Sequence, residues 1–124
     1  LSKQTWAIMN KIAEADAVVR ASGQSKLREG HPEVSFACLA GGPVREPKRD
    51  VRGQTVRRQL LEEAGFPVGA LLASLDARFK GGMDDVLDAC ALAWSAMRLA
   101  AGSHVTLPSS PSRDGEGLEM SIIA

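Results

Sequence analysis

The chain has 124 residues, a length suited to one domain, with 44% hydrophobic residues, 24% charged residues and a formal net charge of zero. This is the balance of a soluble globular chain rather than a disordered one. Charge neutrality argues against a protein whose main task is gripping long DNA through a basic surface. No apolar run reaches the roughly 18 residues that cross a bilayer, and no basic start leads into an apolar stretch and a cleavage site. The expected setting is therefore the cytoplasm.

Aromatic residues make up only 4% and tyrosine is absent, so the core must rest on Ala, Leu, Val and Ile. Cys38 and Cys90 each lie in an apolar context and read as buried free thiols. A disulfide framework or a zinc site needs more cysteines.

Residues 2–21 read as a helix, because Ile8, Met9, Ile12, Ala15 and Val19 recur at three- and four-residue spacing and Trp6 broadens the stripe. Gly23 is the expected stop. A strand near 26–31 and a short helix at 33–40 follow, with Pro32 suited to a first helical turn, although the run Val34–Leu39 also fits a buried strand. Gly41, Gly42 and Pro43 end that element. In "VREPKRDVRGQTVRR" the basic residues Arg45, Lys48, Arg49, Arg52, Arg57 and Arg58 outnumber Glu46 and Asp50, the one clear charge asymmetry of the chain. Proline and glycine make its first part a loop. Thr55 then caps a helix through Val56, Leu60, Leu61 and Ala64, closed by Gly65.

"PVGALLASLDARF" fits a further helix with Leu71, Leu72 and Leu75 inward, and Gly81-Gly82 is a hinge. In the last helix, Val86, Cys90, Ala93, Trp94, Met97 and Ala101 share one face, and Gly102 ends it. "LPSSPSRDGEG" is a polar surface loop, and "LEMSIIA" closes the chain as a strand. The total is four or five helices and about two short strands, too few and too far apart to make an independent sheet of any size.

Three features carry candidate chemistry. Asp84, Asp85 and Asp88 open the last helix at spacings that place carboxylates on one side, where like charges repel by roughly 0.2–0.5 kcal/mol per pair. Capping and the helix dipole account well for Asp84 and adequately for Asp85, but poorly for Asp88, which lies past the first turn. A divalent cation held by oxygen ligands relieves the repulsion of all three; a plain acidic first turn is the competing reading. His31-Pro32-Glu33 reads either as a turn with a solvated glutamate or as a rigid junction that aims Glu33, with His31 a base or a ligand. The basic stretch is either a solvated face or a phosphate-contacting one. His104 reads as an exposed loop residue.

Together, "HPEVSFACLAGGPVREPKRDVRGQTVRRQLLEEAGF", "DDVLDACALAWSAMRLAAG" and "RDGEGLEMSIIA", preceded by "QTWAIMNKIAEADAVV", resemble the C-terminal half of the family called domain of unknown function 429. Members of that family are predicted nucleases with a ribonuclease H-like fold, and "DDVLDACALA" is also similar to the last helix of Holliday-junction resolvases. The resemblance implies an α/β chain, residues 1–124 forming one partial ribonuclease H-like domain, mostly helical because the N-terminal half of the sheet is absent. It implies metal-dependent phosphodiester hydrolysis with magnesium or manganese. The catalytic residues would be Asp88, Asp85 and Glu33, with Asp84 as a further metal neighbour, and Lys48, Arg49, Arg52 and His31 would lie along a nucleic-acid substrate. Relative to the family, the first strands and the earliest aspartate are missing. The chain, which starts at Leu1, is thus expected to be inactive or very weak alone, and to dimerise over its uncovered sheet surface. The rival expectation is a non-enzymatic module that binds protein or nucleic acid.

Overall fold

A computed structural model describes residues 2–76 and 79–124. The first helix, α1 (Lys3–Ser22), begins at Ser2, whose Oγ accepts the Thr5 N–H at 3.1 Å, and ends at Gly23 with φ of +76°. Its apolar stripe finds little cover: Trp6, Ile8, Met9, Ile12 and Val18 are all exposed. The junction after α1 is tied to the C-terminal segment instead. The Gln24 amide donates to the Glu119 carbonyl at 2.9 Å and accepts the Glu119 N–H at 2.7 Å, while Arg28 pairs with the Glu119 carboxylate at 3.1 Å.

The strand expected near 26–31 contracts to β1 (Glu29–Gly30). It pairs in parallel with β3 (Ile122–Ile123), which pairs antiparallel with β2 (Thr106–Leu107), giving the order β1-β3-β2. The second of these was expected to begin a polar loop. Its ladder extends by one pair, because Val105 and Ala124 exchange backbone hydrogen bonds of 2.7 and 2.9 Å. The class is thus α/β, mostly helical around a small mixed sheet.

The helical core is assembled from α2 (Pro32–Ala40), α3 (Val51–Glu63), α4 (Val68–Ser74) and α5 (Met83–Ala100). Phe36, Leu61, Val68, Leu87, Cys90 and Ala91 are its buried centre, and Leu39, Val44, Leu60, Phe66, Leu72 and Val86 surround them. Aliphatic residues dominate, as the composition required, with Phe36 the single aromatic ring at the centre.

Three expectations about these helices are corrected. Helix α3 starts at Val51, so Thr55 is not a cap; it lies inside the helix and its hydroxyl donates to the Val51 carbonyl at 2.8 Å. The glycine that seemed to extend the loop, Gly53, belongs to the helix. A Cβ there would lie 2.0 Å from the Pro47 carbonyl oxygen, so glycine is what lets the preceding loop lie flat against α3. Helix α4 is shorter than expected and turns Val68 inward, leaving Leu71 and Leu75 exposed; Ala77 and Arg78 of the expected span lie outside the described residues.

The buried face of α5 is Leu87, Cys90, Ala91 and Ser95, while Ala93 and Met97 face solvent. Small side chains decide this rotation. Ala91 and Ser95 let α2 approach closely enough for the Ser35 and Ser95 hydroxyls to share a buried hydrogen bond of 2.7 Å. The same rotation brings Asp88, next to Leu87, to the edge of the core.

Candidate functional site

Where α2, α3 and α5 meet the loop before α3, five charged side chains gather. Glu33 stands in the first turn of α2 and Arg57 midway along α3, on the same face as the buried Gly53 and Leu61. Arg57 is only 2% exposed. Its guanidinium grips Glu33 with both arms, Nε to Oε1 at 3.1 Å and Nη2 to Oε2 at 2.7 Å, and its Nη1 donates to the carbonyls of Glu46 and Gly53 at 2.9 and 3.1 Å. A buried guanidinium needs this full set of acceptors. Its carbon centre also lies 5.4 Å from the Phe36 ring centroid, which places the charge over the core aromatic.

Lys48, in the loop, donates to Asp88 Oδ2 at 2.8 Å. The ammonium is held above its ordinary pKa of 10.5, chiefly by that hydrogen bond and, after a cost from burial, by the negative charges of Asp88, Glu33 and Asp84. Three carboxylates from two helices thus bear on one lysine. The second oxygen of Asp88, Oδ1, is buried and has no hydrogen-bond partner among the described residues. A carboxylate oxygen in that position is costly unless something supplies it with positive charge.

The three aspartates divide differently from the sequence expectation. Asp85 is the cap of α5: its Oδ2 accepts the Gly82 N–H at 2.8 Å. Asp84, expected to be the better cap, instead contributes charge near Lys48. Asp88 is the one that enters the cluster by direct contact. The structure therefore brings Asp88, Asp84 and Glu33 into the field of one lysine and turns Asp85 to the helix end. Among the described residues, no group of three or more His, Cys, Asp or Glu side chains is close enough to form a ready-made metal cage.

Of the residues expected along a substrate, Lys48 is engaged with Asp88, while Arg49 and Arg52 are exposed, Arg52 lying 3.9 Å from the Glu46 carboxylate. His31 is exposed at the start of α2; its carbonyl, not its ring, serves the helix, accepting from Val34 and Ser35. His104 is half-buried rather than exposed, with a buried Nδ1 that lacks a partner among the described residues. Both cysteines are free, and burial pushes the Cys90 thiol above its ordinary value. Arg57 was absent from the expected site. Its signal was present: Gly53, Val56, Arg57, Leu60 and Leu61 follow the helical period, so the arginine sits on the apolar stripe rather than on a solvated face.

The model of the family described as "Protein of unknown function (DUF429)" matches residues 1–113. No curated protein and no solved structure matches the chain.

Proposed function

The chain belongs to the DUF429 family, and we propose that it carries part of the active site of a metal-dependent phosphodiester hydrolase of the ribonuclease H-like class. The observation that carries this reading is Asp88 Oδ1, a buried carboxylate oxygen with no partner among the described residues, beside a lysine whose charge three carboxylates favour. Hard oxygen donors with an excess of negative charge fit magnesium or manganese in kind. Asp88 is the first ligand in this reading. Glu33 is presented in a fixed orientation by Arg57, and each of its oxygens keeps a free lone pair; Asp84 adds charge.

When bound, such a cation would supply activation of a water and stabilisation of the leaving oxygen. In the reaction a water oxygen bonds to phosphorus, the bond from phosphorus to one ester oxygen breaks, and a water proton ends on the departing hydroxyl. In this reading Asp88 and Glu33 would hold the cation, and Lys48, Arg49 and Arg52 would lie along the anionic backbone of the nucleic acid. Catalysis of this type uses three or four converging carboxylates, so the chain alone is expected to bind metal weakly and to cleave slowly or not at all.

Metal binding is therefore the primary test. Manganese should raise the melting temperature of the purified chain by mass action, and Asp88→Asn should abolish the rise. Cleavage of DNA and RNA, where measurable, should vanish in the same variant; full cleavage by Asp88→Asn would sink the site assignment. A second reading has its own observation. Glu33, Asp85 and Asp88 already have partners in Arg57, the Gly82 amide and Lys48, as they would in a purely structural interaction module. That module predicts no manganese-dependent stabilisation at all.

A further inference from the structure

Helix α1 is more apolar than its exposure allows. Of its twenty residues only Lys3, Lys11, Glu14, Asp16 and Arg20 are charged, and a helix of that kind ordinarily has cover on most sides. Within one copy it has little: Trp6 is 74% exposed, and Ile8, Met9, Ile12 and Val18 are exposed by 44 to 54%. Beside its C-terminal half lies an open groove of about 690 Å3, with Ile12 and Val19 on one wall and Leu27 and Met120 on the other. Leu27 and Met120 are exposed as well. At the ordinary sizes of such side chains these exposures amount to roughly 700 Å2. Each side of a standard interface buries about 800 Å2, a little over half of it apolar, so this face is large enough for a stable one.

Charge and geometry both point to a second copy of this chain as the occupant. Before Glu14, α1 carries Lys3 and Lys11 and no acid. The groove is acidic, because Asp16, Glu29, Asp114 and Glu119 line it against Arg28 alone. The net charge of the chain is zero, so two copies meet without general repulsion. If two α1 helices cross antiparallel at their midpoints, Trp6 of one falls opposite Val19 of the other, as Lys3 does Ser22. The basic, exposed N-terminal half of each helix then lies over the acidic groove of the other. A single two-fold axis satisfies both halves at once, and opposed helix dipoles favour the antiparallel sense.

We propose that the chain forms a two-fold dimer through α1, in which the two helices lie antiparallel and Trp6, Ile8 and Met9 of each copy cover the groove of the other, with Lys3 and Lys11 over its acidic rim. The dimer is independent of the metal-site reading above, because α1 and the groove share no residue with the charged cluster at α2, α3 and α5.

The test is sedimentation equilibrium of the whole chain from micromolar to near-millimolar concentration, which should show monomer and dimer in exchange. Trp6→Ala should weaken the dimer by about tenfold or more, as loss of a tryptophan anchor does. Lys11→Glu should weaken it by about two- to fivefold. Both side chains are exposed in a single copy, so the circular dichroism of dilute variants should match that of the wild type; if Trp6→Ala is unfolded, Lys11→Glu decides alone. A monomer at every concentration overturns the proposal. So does a dimer that either folded variant leaves at wild-type affinity, since the contact then lies elsewhere. A monomer whose tryptophan emission shifts on anionic phospholipid vesicles, in the wild type but not in Trp6→Ala, assigns α1 to a lipid surface and overturns the dimer as well.

Discussion

Burying a guanidinium costs several kcal/mol unless its donors are matched, and Arg57 meets that requirement through Glu33 and two backbone carbonyls. Removing it leaves the Glu46 and Gly53 carbonyls and the Glu33 carboxylate without their donor. Arg57→Met should therefore lower stability by about 3–5 kcal/mol in denaturant unfolding. Glu33→Gln should cost less, because its side chain is 36% exposed and water can take over part of the role. The Cys90 thiol gives a pH signature. Burial holds its pKa above the ordinary 9.0, so the unfolded chain loses this proton at lower pH than the folded chain does. The stability linked to this thiol is present below pH 9.0 and is lost as pH rises through the folded value. Unfolding midpoints measured across alkaline pH should fall less steeply for Cys90→Ala than for the wild type, and at neutral pH Cys38 should react with a thiol reagent faster than Cys90. At this scale the sequence singled out charged residues whose spacing called for an explanation, but not their partners. Asp88 stood out because it lies too deep in its helix to cap it; that Lys48 answers it depends on a contact across 40 residues of chain.

The elements were legible where a local rule governs them. Gly23, Gly41 and Gly102 mark ends that capping chemistry dictates, and the first and last helices appear within a residue or two of expectation. Helix α3 began five residues early, with Asp50 rather than Thr55 in the cap position, because a tertiary contact overrode the local preference of Gly53. Two effects oppose each other there. Alanine favours an exposed helix interior over glycine by roughly 0.5–1 kcal/mol, but a methyl group at Gly53 would collide with the Pro47 backbone, which has no flexible end to give way. Forcing the loop off the helix costs about 1–3 kcal/mol, so Gly53→Ala should be net destabilising in thermal unfolding. It should also weaken the hold on Lys48, which immediately follows Pro47. By contrast, the one close contact a Cβ at Gly30 would make is with the end of the Leu92 side chain at 2.8 Å, which can rotate away, while the Ile123 carbonyl oxygen stands at an ordinary 3.8 Å.

Across the whole molecule, the helices α2 to α5 share the buried core, while α1 reaches the rest through Arg20, which pairs with Glu116 at 2.8 Å, and through Gln24 and Arg28 just past its end. Local opening follows buried contact, so at concentrations where single copies predominate amides of α1 should exchange with deuterium much faster than those of α5; equal protection there would mean that α1 is covered within one copy. No described helix is long and apolar enough to cross a membrane. The periodicity of apolar residues by itself gave the rough placement of the longer helices, leaving Val34–Leu39 open between helix and strand, and charge spacing singled out the acidic start of α5, because both are set by neighbours within a turn or two. Only the tertiary structure decided which face of α5 is buried, since close packing on α2 selected Ala91 and Ser95 over the larger Met97. It alone decided that β1, β2 and β3 form one sheet, because a two-residue strand has no periodicity to read and exists only through its partners. It also split the three aspartates into one cap, one neighbour and one member of a charged cluster, because a carboxylate's role depends on the cations that packing brings to it.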